Sequence, residues 1–152
     1  MEPLHIALMT PEIPGNTGNI GRLVVGIGAK LHLIRPLGFD LSEKAVRRAG
    51  IDHWSQVSLE VHDSLDAFLE WAAGRGVHLF SAHGSKPYTQ MNVNPGDVLL
   101  FGPESVGLPS ELIDRLGAWS IPMPGKIRSL NLSNAVAVAA YHALQQTHSD
   151  LF

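Results

Sequence analysis

Three short stretches combine glycine and proline with side chains able to bind or transfer groups: "TPEIPGNTGNIGR" at 10–22, "FGPESVGLPSE" at 101–111 and "IPMPGKIRSLNLSN" at 121–134. In the first, Gly15, Gly18 and Gly21 recur every third residue, Asn16 lies among them, and Arg22 follows directly. A guanidinium there, with its planar fork of donors, suits a phosphate or another anionic group. A dinucleotide-binding loop is the rival reading, but it needs GxGxxG directly after a strand and an acid at the end of the next strand. Here a proline-rich insertion precedes GxxGxxG, and the next apolar run, "KLHLIRP", carries Arg35 at its end. A phosphate-cradling P-loop also fails, because no Lys-Ser or Lys-Thr pair follows the glycines. In the second stretch Gly102 lets a ligand approach the backbone, Pro103 fixes the turn, and Glu104 offers a carboxylate. Pro109 and Ser110 then open a helix. The third stretch sets Ser129, Asn131, Ser133 and Asn134 ahead of a smooth run of alanine and valine from 135 to 140. Capping, by Asn131 or Ser133, uses only one or two of these side chains.

Composition narrows the chemistry further. The chain has 152 residues, no cysteine and eight histidines, so disulfides, thiolate nucleophiles and Cys-ligated metals are excluded. His78 and His83 are five apart, His142 and His148 six apart, and HExxH is absent, so no metal is expected. A net charge of −3 speaks against a protein that grips nucleic acid through bulk positive charge. Any such surface must be local, and the basic residues do cluster: Lys44, Arg47 and Arg48 in one segment, Lys126 and Arg128 beside the third stretch.

Elements that alternate between strand and helix must position these loops. Apolar runs at 4–9, 30–35, 77–82, 97–102 and 118–123 read as strands, and "IALM" and "VLLF" lack alternation, as expected of a parallel sheet covered on both faces. Helical patterns fall at about 18–29, 42–50, 64–75, 109–117 and 131–147. The order predicts one α/β domain over 1–152, a parallel sheet flanked by helices, with ligands bound at the carboxyl ends of its strands. No apolar run approaches the ~20 residues of a membrane span, and the acidic start does not read as a signal peptide, so a cytoplasmic protein with no membrane association is expected.

In order and at strand ends, "PEIPGNTGNIGR", "LLFGPESVGLP" and "IPMPGKIRSLNLSNAVAVAAY" resemble the three motifs of the SPOUT superfamily of S-adenosylmethionine-dependent RNA methyltransferases. The resemblance runs from about residue 4 to 145, and with "RPLGFDLSEKAVRRAGIDHW" it is most similar to the minimal, single-domain tRNA 2′-O-methyltransferases of the TrmL (YibK) type. It implies a deep C-terminal trefoil knot, a homodimer, and S-adenosylmethionine as cofactor without a metal. The cofactor site it implies comprises Ala82, Gly102, Glu104, Ile121, Met123, Ser129, Leu130 and Asn134. Arg22, Asn16, Ser129 and Tyr141 are the implied catalytic set, with Asn131 helping to organise the site. The implied substrate is the ribose of the wobble nucleotide, position 34, cytidine or modified uridine, in the anticodon stem-loop of leucine tRNAs. Arg22, Lys44, Arg47, Arg48, Lys126 and Arg128 are the candidates to hold that RNA. Action on another tRNA position or on rRNA is the alternative, as is a non-catalytic cofactor- or nucleotide-binding module. Two departures stand out: Gly21 stands where a bulkier aliphatic residue can occur, and "PGKIRS" differs from the close relatives' "VPDSRS"-like loop.

Overall fold

The structure, a computed structural model, describes residues 2–42 and 44–152. In chain order its elements are β1 (His5–Met9), α1 (Pro14–Ile27), β2 (Lys30–Ile34), α2 (Lys44–Gly50), β3 (Leu59–His62), α3 (Leu65–Trp71), β4 (Val77–Phe80), β5 (Lys86–Pro87), β6 (Val98–Phe101), α4 (Ser110–Leu116), β7 (Trp119–Ser120) and α5 (Leu132–Thr147). Among the described residues seven strands form one sheet in the order β3-β2-β1-β6-β4-β7-β5, and each of their pairings is parallel. The expected parallel α/β architecture is therefore present.

Strand alternation sorts the core into two layers. Ile6, Leu8, Leu31, Leu33, Leu99 and Phe101 face one side, where they meet Ile20 and Val24 of α1 and Val136, Ala139, Ala140 and Ala143 of α5. Ala7, Ile34, Leu79, Val98 and Leu100 face the other, beneath Phe68 of α3, Ala72 just after it, and Leu112 of α4. Because both faces are covered, "IALM" and "VLLF" are apolar throughout, and every residue of β6 is buried. The small residues of α5 let its backbone lie close to the sheet. Gln146 near its end ties down the loop before β6, donating to the Met91 carbonyl and accepting from the Val93 amide.

Several boundaries differ from expectation. The first helix starts at Pro14 rather than near 18: proline at its start supplies a preset φ, and the amides ahead of it are satisfied by a carboxylate distant in sequence. Arg22 consequently stands in the third turn of the helix, a turn later than a start near 18 would put it. The expected start of the second helix includes Glu43, which lies outside the described residues; the helix runs from Lys44 and continues as a 3₁₀ turn over Ile51–Gln56. Strand β3 has no counterpart among the apolar runs, because an edge strand whose first two residues are exposed leaves "LEVH" without one. The run at 118–123 pairs only at Trp119 and Ser120, and the chain beyond leaves the sheet as a loop.

Candidate functional site at the carboxyl ends of the strands

Strand order reverses between β1 and β6, since β2 and β3 lie on one side of β1 and the later strands on the other. In an open parallel sheet such a switch leaves a crevice beyond the carboxyl ends of the strands. A cleft of about 1070 Å³ lies there, with Met9, Phe80 and Phe101, the last residues of β1, β4 and β6, on its lining. All three glycine-containing stretches contribute walls: Ile13 and Asn16 from the first, Gly102 to Ser110 from the second, and Ile121 with Arg128 to Leu132 from the third.

A hydrogen-bond clasp holds the first two loops together. Glu104 accepts from the amides of Glu12 at 2.8 Å and Ile13 at 2.9 Å, and from the Asn16 side chain at 3.2 Å. In return Glu12 accepts from the Ser105 amide at 2.8 Å and from its hydroxyl at 2.7 Å. These bonds hold the Glu12 carboxyl below its ordinary pKa, the backbone contribution being the larger. Ile13 at the start of α1 has no capping side chain of its own, so Glu104 fills that role from across the cleft. Asn16 joins the third loop to this clasp: its carbonyl oxygen accepts from Asn131 at 3.1 Å. Asn131 is also the N-cap of α5, accepting from the Ser133 amide at 3.0 Å and from its hydroxyl. Of the four polar side chains around the start of α5, Asn131 thus serves both the cap and the clasp, and Ser133, in the first turn, donates to it. Ser129 lines the cleft, whereas Asn134 is exposed away from it.

Glycine explains the tight chain crossings. A Cβ on Gly102 would lie 2.3 Å from the Gly107 carbonyl carbon and the Leu108 amide, so the close approach it permits is that of its own loop. A Cβ on Gly84 would stand 2.5 Å from the Trp119 carbonyl carbon, where residues 81–87 run against β7. At Gly21 a Cβ would meet the Trp54 ring at 2.6 Å. An indole from the 3₁₀ turn after α2 thus occupies the space that a bulkier aliphatic side chain at this position would need.

The structure brings together many of the sequence-derived candidates. Asn16, Ala82, Gly102, Glu104, Ile121, Ser129, Leu130, Asn131 and Arg128 line the cleft. Met123, Asn134 and Lys126 do not; Lys126 is exposed in the loop before Arg128. Arg22 is exposed in the middle of α1, outside the cleft, and Lys44, Arg47 and Arg48 are exposed on α2, which packs against α1. Tyr141 is half-exposed on α5, also outside the cleft. Sequence reasoning does not single out Glu12 and Ser105. A carboxylate between two prolines at a strand end is the one signal for Glu12, but its partner lies 93 residues away.

Residues 3–141 match the family model described as the SpoU rRNA Methylase family. The chain belongs to this family. It is 43% identical over 145 residues to a tRNA (cytidine(34)-2′-O)-methyltransferase of Saccharophagus degradans, covering 93% of this chain and 94% of that protein. A solved structure described as giving insight into the 2-OH methylation of C/U34 on tRNA superposes with a TM-score of 0.92 at 51% identity, covering 95% of this chain and 96% of that one. An AdoMet-bound rRNA methyltransferase from Sinorhizobium meliloti superposes with a TM-score of 0.84 at 30% identity over 94% of this chain, though over only 56% of that one.

Proposed function

We propose that this SpoU methylase is a single-domain tRNA 2′-O-methyltransferase that uses S-adenosylmethionine to modify the ribose of the wobble nucleotide, position 34, in leucine tRNAs. The carrying observation is the cleft itself, built from all three loops at the strand switch and clasped by Glu104, in a chain that matches a C/U34 methylation structure over nearly its full length. The residues present fit the cofactor. Phe80, Phe101, Leu108 and Ile121 offer an apolar bed for a purine, while Ser129, Asn131 and the loop backbone offer hydrogen bonds at its rim. Ala82, Gly102, Glu104, Ile121, Ser129 and Leu130 hold it in this reading, with Met123 and Asn134 outside them.

When bound, S-adenosylmethionine supplies an electrophilic methyl group. The chain's task is to place a ribose hydroxyl in line with that methyl and to take up charge as the hydroxyl proton leaves. Arg22, which lies outside the cleft of its own chain, orients the ribose and its phosphate from α1 of the neighbouring subunit in the homodimer this reading includes. A guanidinium stays protonated in proteins, so it stabilises the developing alkoxide, and the proton passes to water or a phosphate oxygen. Asn16, fixed between Glu104 and Asn131, holds the two walls of the site in register. Tyr141 reaches the site of the same or the neighbouring subunit. Lys44, Arg47, Arg48, Lys126 and Arg128 carry the anticodon stem-loop.

The same reading gives the chain a homodimeric state, through the exposed faces of α1 and α5, where Val138 and Tyr141 stand outside the core, and a cytoplasmic location. It also gives a trefoil knot at the C-terminal segment, supported by the backbone crossing of Gly84 against Trp119 and Ser120. Among the described residues no helix is long and apolar enough to cross a membrane. The test uses labelled cofactor, EDTA-treated protein, and purified tRNA or rRNA as acceptor. Label should enter tRNA alone and survive alkali as a nuclease-resistant dinucleotide. Label in rRNA, or on a base, overturns the assignment.

A further inference from the structure

At the edge of the sheet, apart from the cleft, two imidazoles and one carboxylate converge on a point. His32 on β2 lies beside Glu60 of β3, and His62 follows two residues later on the same face of that edge strand, the face covered by α3. None of the three lines the cleft. His32 Nδ1 stands 2.9 Å from His62 Nε2 and 3.6 Å from a Glu60 oxygen, and the three ligating atoms all lie within 4.8 Å of one another. His32 is 1% exposed and His62 7%, while the Glu60 side chain is 53% exposed. Two nitrogens are therefore fixed by packing, and one oxygen reaches them from the solvent side. A single proton bridges the two facing nitrogens and makes no use of the carboxylate aimed at the same point.

We propose that this is a binding site for a divalent transition cation such as zinc, held by His32 Nδ1, His62 Nε2 and a Glu60 oxygen, with its remaining positions open to water past Glu60. Neutral imidazole with carboxylate is a donor set suited to zinc and its neighbours. At metal–nitrogen bonds of about 2.05 Å, nitrogens 2.9 Å apart subtend about 90°, and an outward shift of about 0.4 Å gives tetrahedral spacing. His32 then carries its ring proton on Nε2 and donates it to His5 Nδ1, 2.8 Å away, the kind of contact that orients a ligating imidazole. Arg75 stands on the far side of His5, 3.5 Å from its Nε2. That contact is long, and the guanidinium is held independently by the Gly96 carbonyl at 3.1 Å, by Glu2 at 3.7 Å and over the Trp71 ring at 4.7 Å. The histidines are 27 and 30 residues apart along the chain, which is why spacing motifs do not reveal the site.

Zinc chloride titrated into EDTA-stripped, buffer-exchanged full-length protein tests this by calorimetry. Tryptophan emission gives a second readout, because the Trp71 ring centroid is 4.3 Å from that of His32 and 5.7 Å from that of His62. One zinc per chain should bind at micromolar concentration, with a change in emission that is abolished in Trp71→Phe. Glu60→Gln and His62→Gln should each weaken binding at least tenfold, and His148→Gln should leave it unchanged. If His62→Gln does not fold, the exposed Glu60→Gln carries the comparison. The site is refuted by an absence of saturable zinc binding, or by equal binding to wild type and a folded Glu60→Gln variant.

Discussion

Replacing Glu104 by alanine removes one carboxylate that serves three donors on the opposite wall of the cleft: two backbone amides and the Asn16 side chain. Loss of an N-cap costs about 0.5–2 kcal/mol, and a hydrogen bond to a charged group contributes about 1.5–3 kcal/mol when fully buried. Glu104 is only half-buried and water can reach the freed amides, so the sum is well below three such bonds. An overall loss of about 2 kcal/mol is expected, which for a chain of this size lowers the melting temperature by about 4–8 °C. Urea unfolding monitored by far-ultraviolet dichroism measures it. Calorimetry with S-adenosylmethionine should show an affinity about tenfold weaker, because the wall formed by residues 102–110 loses its anchor. Asn16→Ala combined with Glu104→Ala should cost less than the sum of the single changes, by about 0.5–1 kcal/mol, since the two share a bond. A Glu104→Ala protein within about 0.5 kcal/mol of wild type, with unchanged cofactor affinity, would falsify the clasp as the organiser of the site.

Other perturbations probe separate parts of the molecule. Gly21→Ala should cost about 1–3 kcal/mol, because its Cβ would stand 2.6 Å from the Trp54 ring; Trp54→Leu should recover part of that loss, and additive unfolding energies would contradict the packing of the two. Burial chiefly holds the His5 and His32 pKa values at about 4 and about 3, so both stay neutral in the folded protein while the unfolded chain protonates them below about 6.5. The unfolded state then binds more protons, and in chelator stability should be level above pH 6.5 and fall below it, by at most about 1.4 kcal/mol per pH unit for each histidine. Urea midpoints that do not change between pH 7 and pH 5 would refute this. Arg47→Glu with Arg48→Glu should raise the apparent tRNA constant and flatten its salt dependence, by about 0.7–0.9 in log-log slope for each phosphate no longer neutralised, while sparing cofactor binding. An unchanged slope would move the RNA surface away from α2.

Local chemistry makes the sheet and the three loops legible, whereas long-range pairing hides much of the rest. Runs such as "IALM" and "VLLF" carry their burial in their own letters, and the loops announce themselves through glycine and proline at strand ends. Edge strand β3 gives no such signal, because half of it is wetted. Gly21 reads as a departure until Trp54, 33 positions on, is seen to occupy the space its side chain would need. The partner of Ile13 at the start of α1 is Glu104, 91 residues later, so neither the early helix start nor the displaced position of Arg22 follows from local capping rules. Asn131 is readable as a cap; its bond to Asn16 is not, being a meeting of two helix starts 115 residues apart.

Mapping the methylated nucleotide is the sharpest check on the proposed activity. Purified protein, S-adenosylmethionine and tRNA from cells lacking this gene would be incubated together, the tRNA digested with a base-specific ribonuclease, and the fragments sequenced by mass spectrometry. A single added methyl is expected on the ribose at position 34, in leucine tRNAs, absent when Arg22 is replaced by alanine. A methyl on a base, at a tRNA position outside the anticodon loop, or none at all would contradict the assignment.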